Sequence, residues 1–342
     1  MLLLKELCET PAISGREQPL IDVMRRELAL TCDSVSVDGM GNVVGFKRGS
    51  AKDARKVMIA GHMDEIGFVV SHIDKEGFLR LAPRGGHVPR VLISQRVRIL
   101  GRKELVGVVE GPPALLEKER GTTVAAMKDF HVDTGMGHKE IVKWVRVGDP
   151  VVLDRGLTAQ GDCYISKAFD NRVGCYVVLE AMKRLGRHAV DVYAVGSTQE
   201  EVGIRGMKRA ARSVTPDLGI AVDVTGAFDT PGVPEHERVT TLGGGAAIKI
   251  NDQATISNHG IVEHLRALAT KHRIKHQLEV LPFGGTDAGG MQLFGDGAVC
   301  TISVPTRYVH SPNEIIHKGD LEASVALLVK FLESAQHCKL VF

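Results

Sequence analysis

His62, Asp170, Glu201, Asp223 and His310 each stand beside an apolar stretch of this chain. Two imidazoles and three carboxylates make an N/O donor set of the kind that holds a pair of divalent cations. His62 ends VMIAGH, Asp223 ends LGIAVD, Glu200 and Glu201 follow VYAVGSTQ, and His310 follows CTISVPTRYV. Asp170 opens an expected helix in KAFDNRVGCYVVLEAMKRL. Short β-rich apolar runs bounded by Gly and polar residues read as buried parallel strands. Ligands of open α/β sheets gather beyond the carboxyl ends of such strands. The five side chains are therefore expected to converge on one crevice.

Taken singly, each has a plainer explanation. A lone His is more often structural than a ligand. His62 gains from Asp64 two residues on, whose carboxylate could hold the ring in a ligating orientation. Asp170 before Asn171 would serve equally as a helix cap, although a carboxylate has two oxygens and can bridge two ions. Glu200 and Glu201 are adjacent, so their side chains diverge. One could ligate while the other faces an attacking water as general base. Asp223 follows a nearly all-apolar strand, where a carboxylate is costly unless paired or metal-bound. Only the whole set singles out metal chemistry.

The elements that would carry these residues can be read along the chain. Residues 2–9 form a short expected helix. Ser14 with Glu17 has the capping-box spacing and would start a second helix through LIDVMRRELAL. Two alternating strands around a Gly-Asn turn follow in SVSVDGMGNVVGFKR. From about 68 to 155 the strand–helix rhythm stops. Strand-like pieces (FVVSHI, FLRLAP, RVRIL, LVGVVEG, DPVVL) alternate with turns, and only HKEIVKWV has a helical period. The expectation is an α/β catalytic domain made of residues 1–67 and 156–342, its mixed sheet flanked by helices. A small β-rich domain, 68–155, interrupts it. The GGTDAGG stretch, Gly284–Gly290, reads as a flexible loop. Thr286 and Asp287 would there be substrate contacts or, equally, turn residues.

Composition narrows the partners. The charge of +2, from 43 basic and 41 acidic residues without a basic block, does not point to nucleic acid. Aromatics at 4% argue against recognition by stacked rings. Six cysteines in no CxxC or zinc-finger spacing fit buried thiols in a reducing compartment. MLLLKELCET is too short and too soon charged for a signal peptide, and no apolar run nears the roughly 18 residues of a membrane span. A cytoplasmic protein is expected.

AGHMDEIGF, KAFDNRVG, STQEEVGIRG, AVDVTGAFDTPG, GGTDAGG and TRYVHSPNE occur in this order over nearly the whole chain. Together they resemble the M42 metallo-aminopeptidases, a family that includes glutamyl aminopeptidases and the tetrahedral TET peptidases. The resemblance implies a di-zinc-aminopeptidase-like fold with two divalent ions per subunit, zinc or cobalt, with manganese a further option. It assigns one ion to His62, Asp170 and Asp223 and the other to Asp170, Glu201 and His310, with Asp170 bridging. Glu200 becomes the general base acting on a bridging water, and Asp64 the partner of His62. The substrates implied are short peptides, cleaved after the N-terminal residue. The inserted domain would be PDZ-like and drive dimerisation, the dimers building a tetrahedral dodecamer. One departure is Ala114, where many relatives carry His. Two other readings compete. A glycosidase could use two of the carboxylates, but it leaves His62 and His310 without a task. A metal-stabilised scaffold has no use for Glu200.

Overall fold

The computed structural model describes residues 1–111 and 126–342; Ala114 lies outside the described residues. The chain opens with helices Leu2–Glu9 and Gln18–Leu28, the hairpin β1 (Ser34–Val37) and β2 (Val43–Lys47), and then β3 (Lys56–His62). Next come β4 (Gly67–Ile73), β5 (Leu79–Arg84), β6 (Arg96–Leu100), β7 (Glu104–Glu110), β8 (His131–Asp133) and β9 (Pro150–Leu153). After them lie β10 (Thr158–Gln160), β11 (Cys163–Ser166), β12 (Asp191–Ser197), β13 (Leu218–Gly226), β14 (Ala246–Asn251), β15 (His276–Val280), β16 (Ala298–Arg307) and β17 (Glu314–His317).

The fold is mixed α/β. Eleven strands form one sheet in the order β1-β2-β12-β3-β13-β16-β17-β11-β10, with β14 joining β16 and β15 joining β14. Its centre is parallel: β12 with β3, β3 with β13, and β13 with β16. Successive residues of these strands face two different cores. Val57, Ile59, Ile220 and Ile302 join the core shared with helices Phe169–Arg184, His259–Lys271 and Lys318–Ser334. Met58, Ala60, Ala221 and Val299 join the core under helices Arg205–Val214 and Asp287–Phe294. Burial on both faces is why these strands read as unbroken apolar runs. A close approach fixes the layer above β3: a Cβ on Gly61 would come within 2.5 Å of the Gly174 carbonyl carbon.

β4 to β9 close on themselves in the order β4-β5-β8-β7-β6-β9. This barrel has its own core, including Phe68, Val97, Ile99, Val132 and Val151. Of HKEIVKWV only His138–Ile141 is α-helical. No helix among the described residues is long and apolar enough to cross a membrane.

Three local expectations are overturned. Ser14 does not cap the second helix: its hydroxyl donates to Asp64 Oδ2 at 2.6 Å, while Glu17 Oε1 accepts the amides of Gly15 and Gln199. Long-range buried partners outcompete the local box. GGTDAGG is not a loop throughout, because a helix begins at Asp287 with Thr286 as its N-cap. Its glycines allow close helix packing, since a Cβ on Gly290 would lie 2.9 Å from Ile204 and 3.0 Å from Met207 side-chain atoms. Asp223 does not end its strand; β13 runs on to Gly226.

Candidate metal centre

β3 and β12 end in register, with Ser197 opposite His62. The chain beyond each strand therefore turns into the same crevice, as parallel sheets dictate. His62 is 1% exposed. Its Nδ1 lies 2.9 Å from the Asp64 backbone carbonyl and 3.6 Å from the nearer Asp64 carboxylate oxygen. The hydrogen bond of the ring thus goes to the Asp64 main chain, with the Asp64 carboxylate beside it.

That carboxylate has other work. Asp64 Oδ1 accepts the Glu200 amide at 3.0 Å, and Oδ2 accepts the Glu201 amide at 3.2 Å as well as the Ser14 hydroxyl. Burial raises the Asp64 pKa, but His62 and these donors outweigh it and leave the group below its usual value. Asp64 therefore fixes the backbone from which both glutamates project. Gln199, just before them, sits at φ +55, a left-handed conformation sparsely used outside glycine.

Asp170 lies in a break at the start of its helix, with φ −73 and ψ 105. Asn171 does the capping instead, its Oδ1 accepting the Gly174 amide at 2.9 Å. The Asp170 carboxylate is left to face the crevice. Oδ1 stands 3.1 Å from His62 Nε2 and Oδ2 stands 3.2 Å from His310 Nε2. His62 Nε2 is also 3.9 Å from Asp223 Oδ1 and 3.8 Å from Glu200 Oε2. His310 Nε2 is 3.4 Å from Glu201 Oε2. Donor atoms of His62, Asp170 and Asp223 lie within 4.8 Å of one another, as do those of Asp170, Glu201 and His310.

A further carboxylate, which sequence reasoning missed, organises the far side. Glu314 accepts the Asp170 amide at 3.1 Å and the His310 amide at 2.9 Å. His310 is held at φ +64. Burial, then the nearby Asp170 charge, push the Glu314 carboxyl up to about 8. Its place in VHSPNE, four residues after His310, was the available signal. Also missed was the barrel's contribution. Gly85, at φ +84 just beyond β5, lies so close to Glu201 that a Cβ there would meet Glu201 Cβ at 3.2 Å.

Crowding dominates the electrostatics. Burial holds Glu200 and Asp223 well above the usual carboxylate range, His62 opposing and neighbouring acids adding to the effect. Burial and Asp170 also raise Glu201. Burial opposes ionisation of Asp170, but His310 and His62 outweigh it and hold this carboxyl low. Both imidazoles are pulled up against burial by the acids around them, His310 to about 12. The cluster thus demands positive charge. Glu201 Oε1 is buried without a hydrogen-bond partner. A donor set of imidazole and carboxylate with such a charge deficit fits divalent zinc, cobalt or manganese.

Thr286 and Asp287 belong to neither ligand set and do not line the cavity beside them. Both are 2% exposed. The Thr286 hydroxyl lies 3.0 Å from that of Thr301, and Asp287 Oδ2 accepts the Ser197 hydroxyl. Instead, Gly284 and Gly285 line the cavity beside the cluster.

Likeness to known proteins bears on this geometry. The M42 glutamyl aminopeptidase model matches residues 41–327. Lysyl aminopeptidase of Pyrococcus furiosus is 34% identical over 97% of this chain and 96% of its own length. The structure of an aminopeptidase from the archaeon Desulfurococcus kamchatkensis superposes with a TM-score of 0.93 at 41% identity, covering 97% of this chain and 94% of that one. A TET peptidase of Pyrococcus horikoshii, which can assemble into a tetrahedron or a large octahedral shell, gives 0.86 at 29% identity, covering 97% and 98%. The chain therefore belongs to the M42 glutamyl aminopeptidase family and is an aminopeptidase.

Proposed function

We propose that this aminopeptidase removes the N-terminal residue of short peptides with two divalent cations per subunit. One would be held by His62, Asp170 and Asp223, the other by Asp170, Glu201 and His310. The observation that carries this reading is the Asp170 carboxylate, whose two oxygens face His62 and His310 at 3.1 and 3.2 Å. When bound, such a pair supplies a water of lowered pKa and a Lewis acid for the scissile carbonyl.

The chain's own groups do the rest. Glu200 belongs to neither ligand set, and its Oε2 stands 3.8 Å from His62 Nε2, beside the ligands yet free to act as a base. It takes the proton of the attacking water and passes it to the leaving amine. Asp64 and Glu314 position four of the five segments that carry the site, and β13 carries the fifth, with Asp223. The substrate's ammonium group binds against the acidic surround, which makes the enzyme an exopeptidase.

Residues 1–67 and 156–342 would form the catalytic domain, and 68–155, taken as PDZ-like, the unit of self-association into dimers and a tetrahedral dodecamer. The Pyrococcus horikoshii relative's shells support that, as do Val106 and Val108, which β7 leaves 48% and 38% exposed. Six unpaired cysteines fit the reducing cytoplasm.

Chelation should abolish cleavage of aminoacyl-p-nitroanilides, and added zinc, cobalt or manganese should restore it. Cleavage that survives complete removal of metal would overturn this mechanism.

A further inference from the structure

A cavity of about 570 Å³ opens beside the metal-ligand cluster. Beyond the cluster its walls are mostly apolar, built largely by Val88, Val224, Phe228, Leu281, Phe283 and Val309, with three threonines and one tyrosine among them. The rings of Phe228 and Phe283 lie 6.2 Å apart, and they are 37% and 50% exposed, so they stand at the open side.

Apart from the cluster, the charged side chain lining this cavity among the described residues is Lys249. It is 1% exposed, and its ammonium lies 3.0 Å from Asp252 Oδ2 and 3.0 Å from Glu279 Oε1. Glu279 Oε1 also accepts the Thr225 hydroxyl at 2.7 Å. One cation thus faces two buried carboxylates. It has no charge left to offer an acidic substrate side chain, whose burial here would go uncompensated. A basic side chain fares no better, because Asp252 and Glu279 are already bound to Lys249 and lie outside the lining, so no uncommitted carboxylate of this wall meets it. Glu279 is fully buried and outside the lining, so its second oxygen, which makes no hydrogen bond, is not presented to substrate.

We infer that this cavity receives the side chain of the substrate's N-terminal residue and selects an uncharged apolar one, aliphatic or aromatic, over acidic and basic ones. The inference rests on the aminopeptidase mechanism proposed above, which places the scissile bond at the cluster. It separates this chain from relatives named for glutamyl or lysyl substrates.

The test is kcat/KM of the cobalt-loaded enzyme for leucyl-, phenylalanyl-, glutamyl- and lysyl-p-nitroanilide, with calorimetric binding of free leucine, glutamate and lysine to the same protein. Leucyl or phenylalanyl substrates should exceed both charged ones by roughly 100-fold or more, a discrimination within reach of one pocket that leaves a buried charge unpaired. A glutamyl or lysyl substrate cleaved as well as these overturns the inference. If nothing is cleaved but leucine binds more tightly than glutamate and lysine, the pocket assignment stands and the proposed hydrolysis fails. Absent leucine binding, or preferred binding of a charged amino acid, overturns the assignment. Glu279→Gln, which leaves Lys249 one carboxylate, should raise the glutamyl-to-leucyl ratio about 10-fold. An unchanged ratio in the folded variant contradicts Lys249 as a neutralised wall residue, and the wild-type panel decides the matter if the variant does not fold.

Discussion

Glu200→Gln is expected to lower kcat by roughly a hundred- to ten-thousand-fold, the range contributed by a positioned general base, with metal content unchanged. The substitution keeps shape and volume and removes only the capacity to take a proton. Glu200 lies outside both ligand triads, its Oε2 3.8 Å from His62 Nε2. Its amide stays anchored on Asp64 Oδ1 at 3.0 Å whatever the side chain. Steady-state kinetics on an aminoacyl-p-nitroanilide, with elemental analysis of the same sample, reads both quantities. A kcat within a few-fold of wild type contradicts the role. So does loss of a metal equivalent, which would make Glu200 a ligand.

Glu65→Ala should be the most destabilising single change near the site. Glu65 is 2% exposed and binds two buried cations. Its Oε2 accepts from Lys167, and its Oε1 accepts from Arg172 and from the Ala12 amide, each at 3.2 Å. Arg172 in turn donates to the carbonyls of Leu7, Thr10 and Ala12. The network ties the N-terminal helix to the segments on either side of His62 and Asp170. Alanine would leave Lys167 and Arg172 charged, buried and unpaired, a change that costs about 3–5 kcal/mol when one partner of a buried pair is removed. Denaturant titration of the metal-free protein measures it. A shift below about 1 kcal/mol would mean that water or a rearranged backbone replaces the carboxylate.

The strands that matter most to the site are the ones legible from residue types. β3, β12, β13 and β16 are buried on both faces and carry little but apolar side chains, so their pattern does not depend on neighbours. β10, β11 and β17 were not read as strands. Thr158–Gln160 is exposed along its length and only three residues long, and β11 and β17 have four residues each, too few for a period to register. The Ser14–Glu17 spacing misled because a capping box is a local pattern, and Asp64, fifty residues away, claims the serine. Gly289 and Gly290 misled because glycine serves both flexible loops and close helix packing, and sequence does not say which.

The five residues gathered into the two ligand sets were visible as a group, since four end or follow an apolar run and Asp170 opens a largely apolar helix. The residues that hold them were not. Glu314 and Glu65 look like ordinary surface acids until tertiary structure buries them. Lys249, in the alternating strand β14, carries no sign that two carboxylates will meet it. The carboxylate of Asp64 was read only for its place beside His62, because the Glu200 and Glu201 amides that donate to it depend on how the Gln199 turn folds back.

Two cations per chain would share the Asp170 carboxylate. Calorimetric titration of the chelated protein with cobalt, on wild type and Asp170→Asn, tests it most directly. Two equivalents per wild-type chain, with binding at both sites weakened in the variant, is the result predicted here. A single equivalent in wild type, or two that bind Asp170→Asn unchanged, would contradict it.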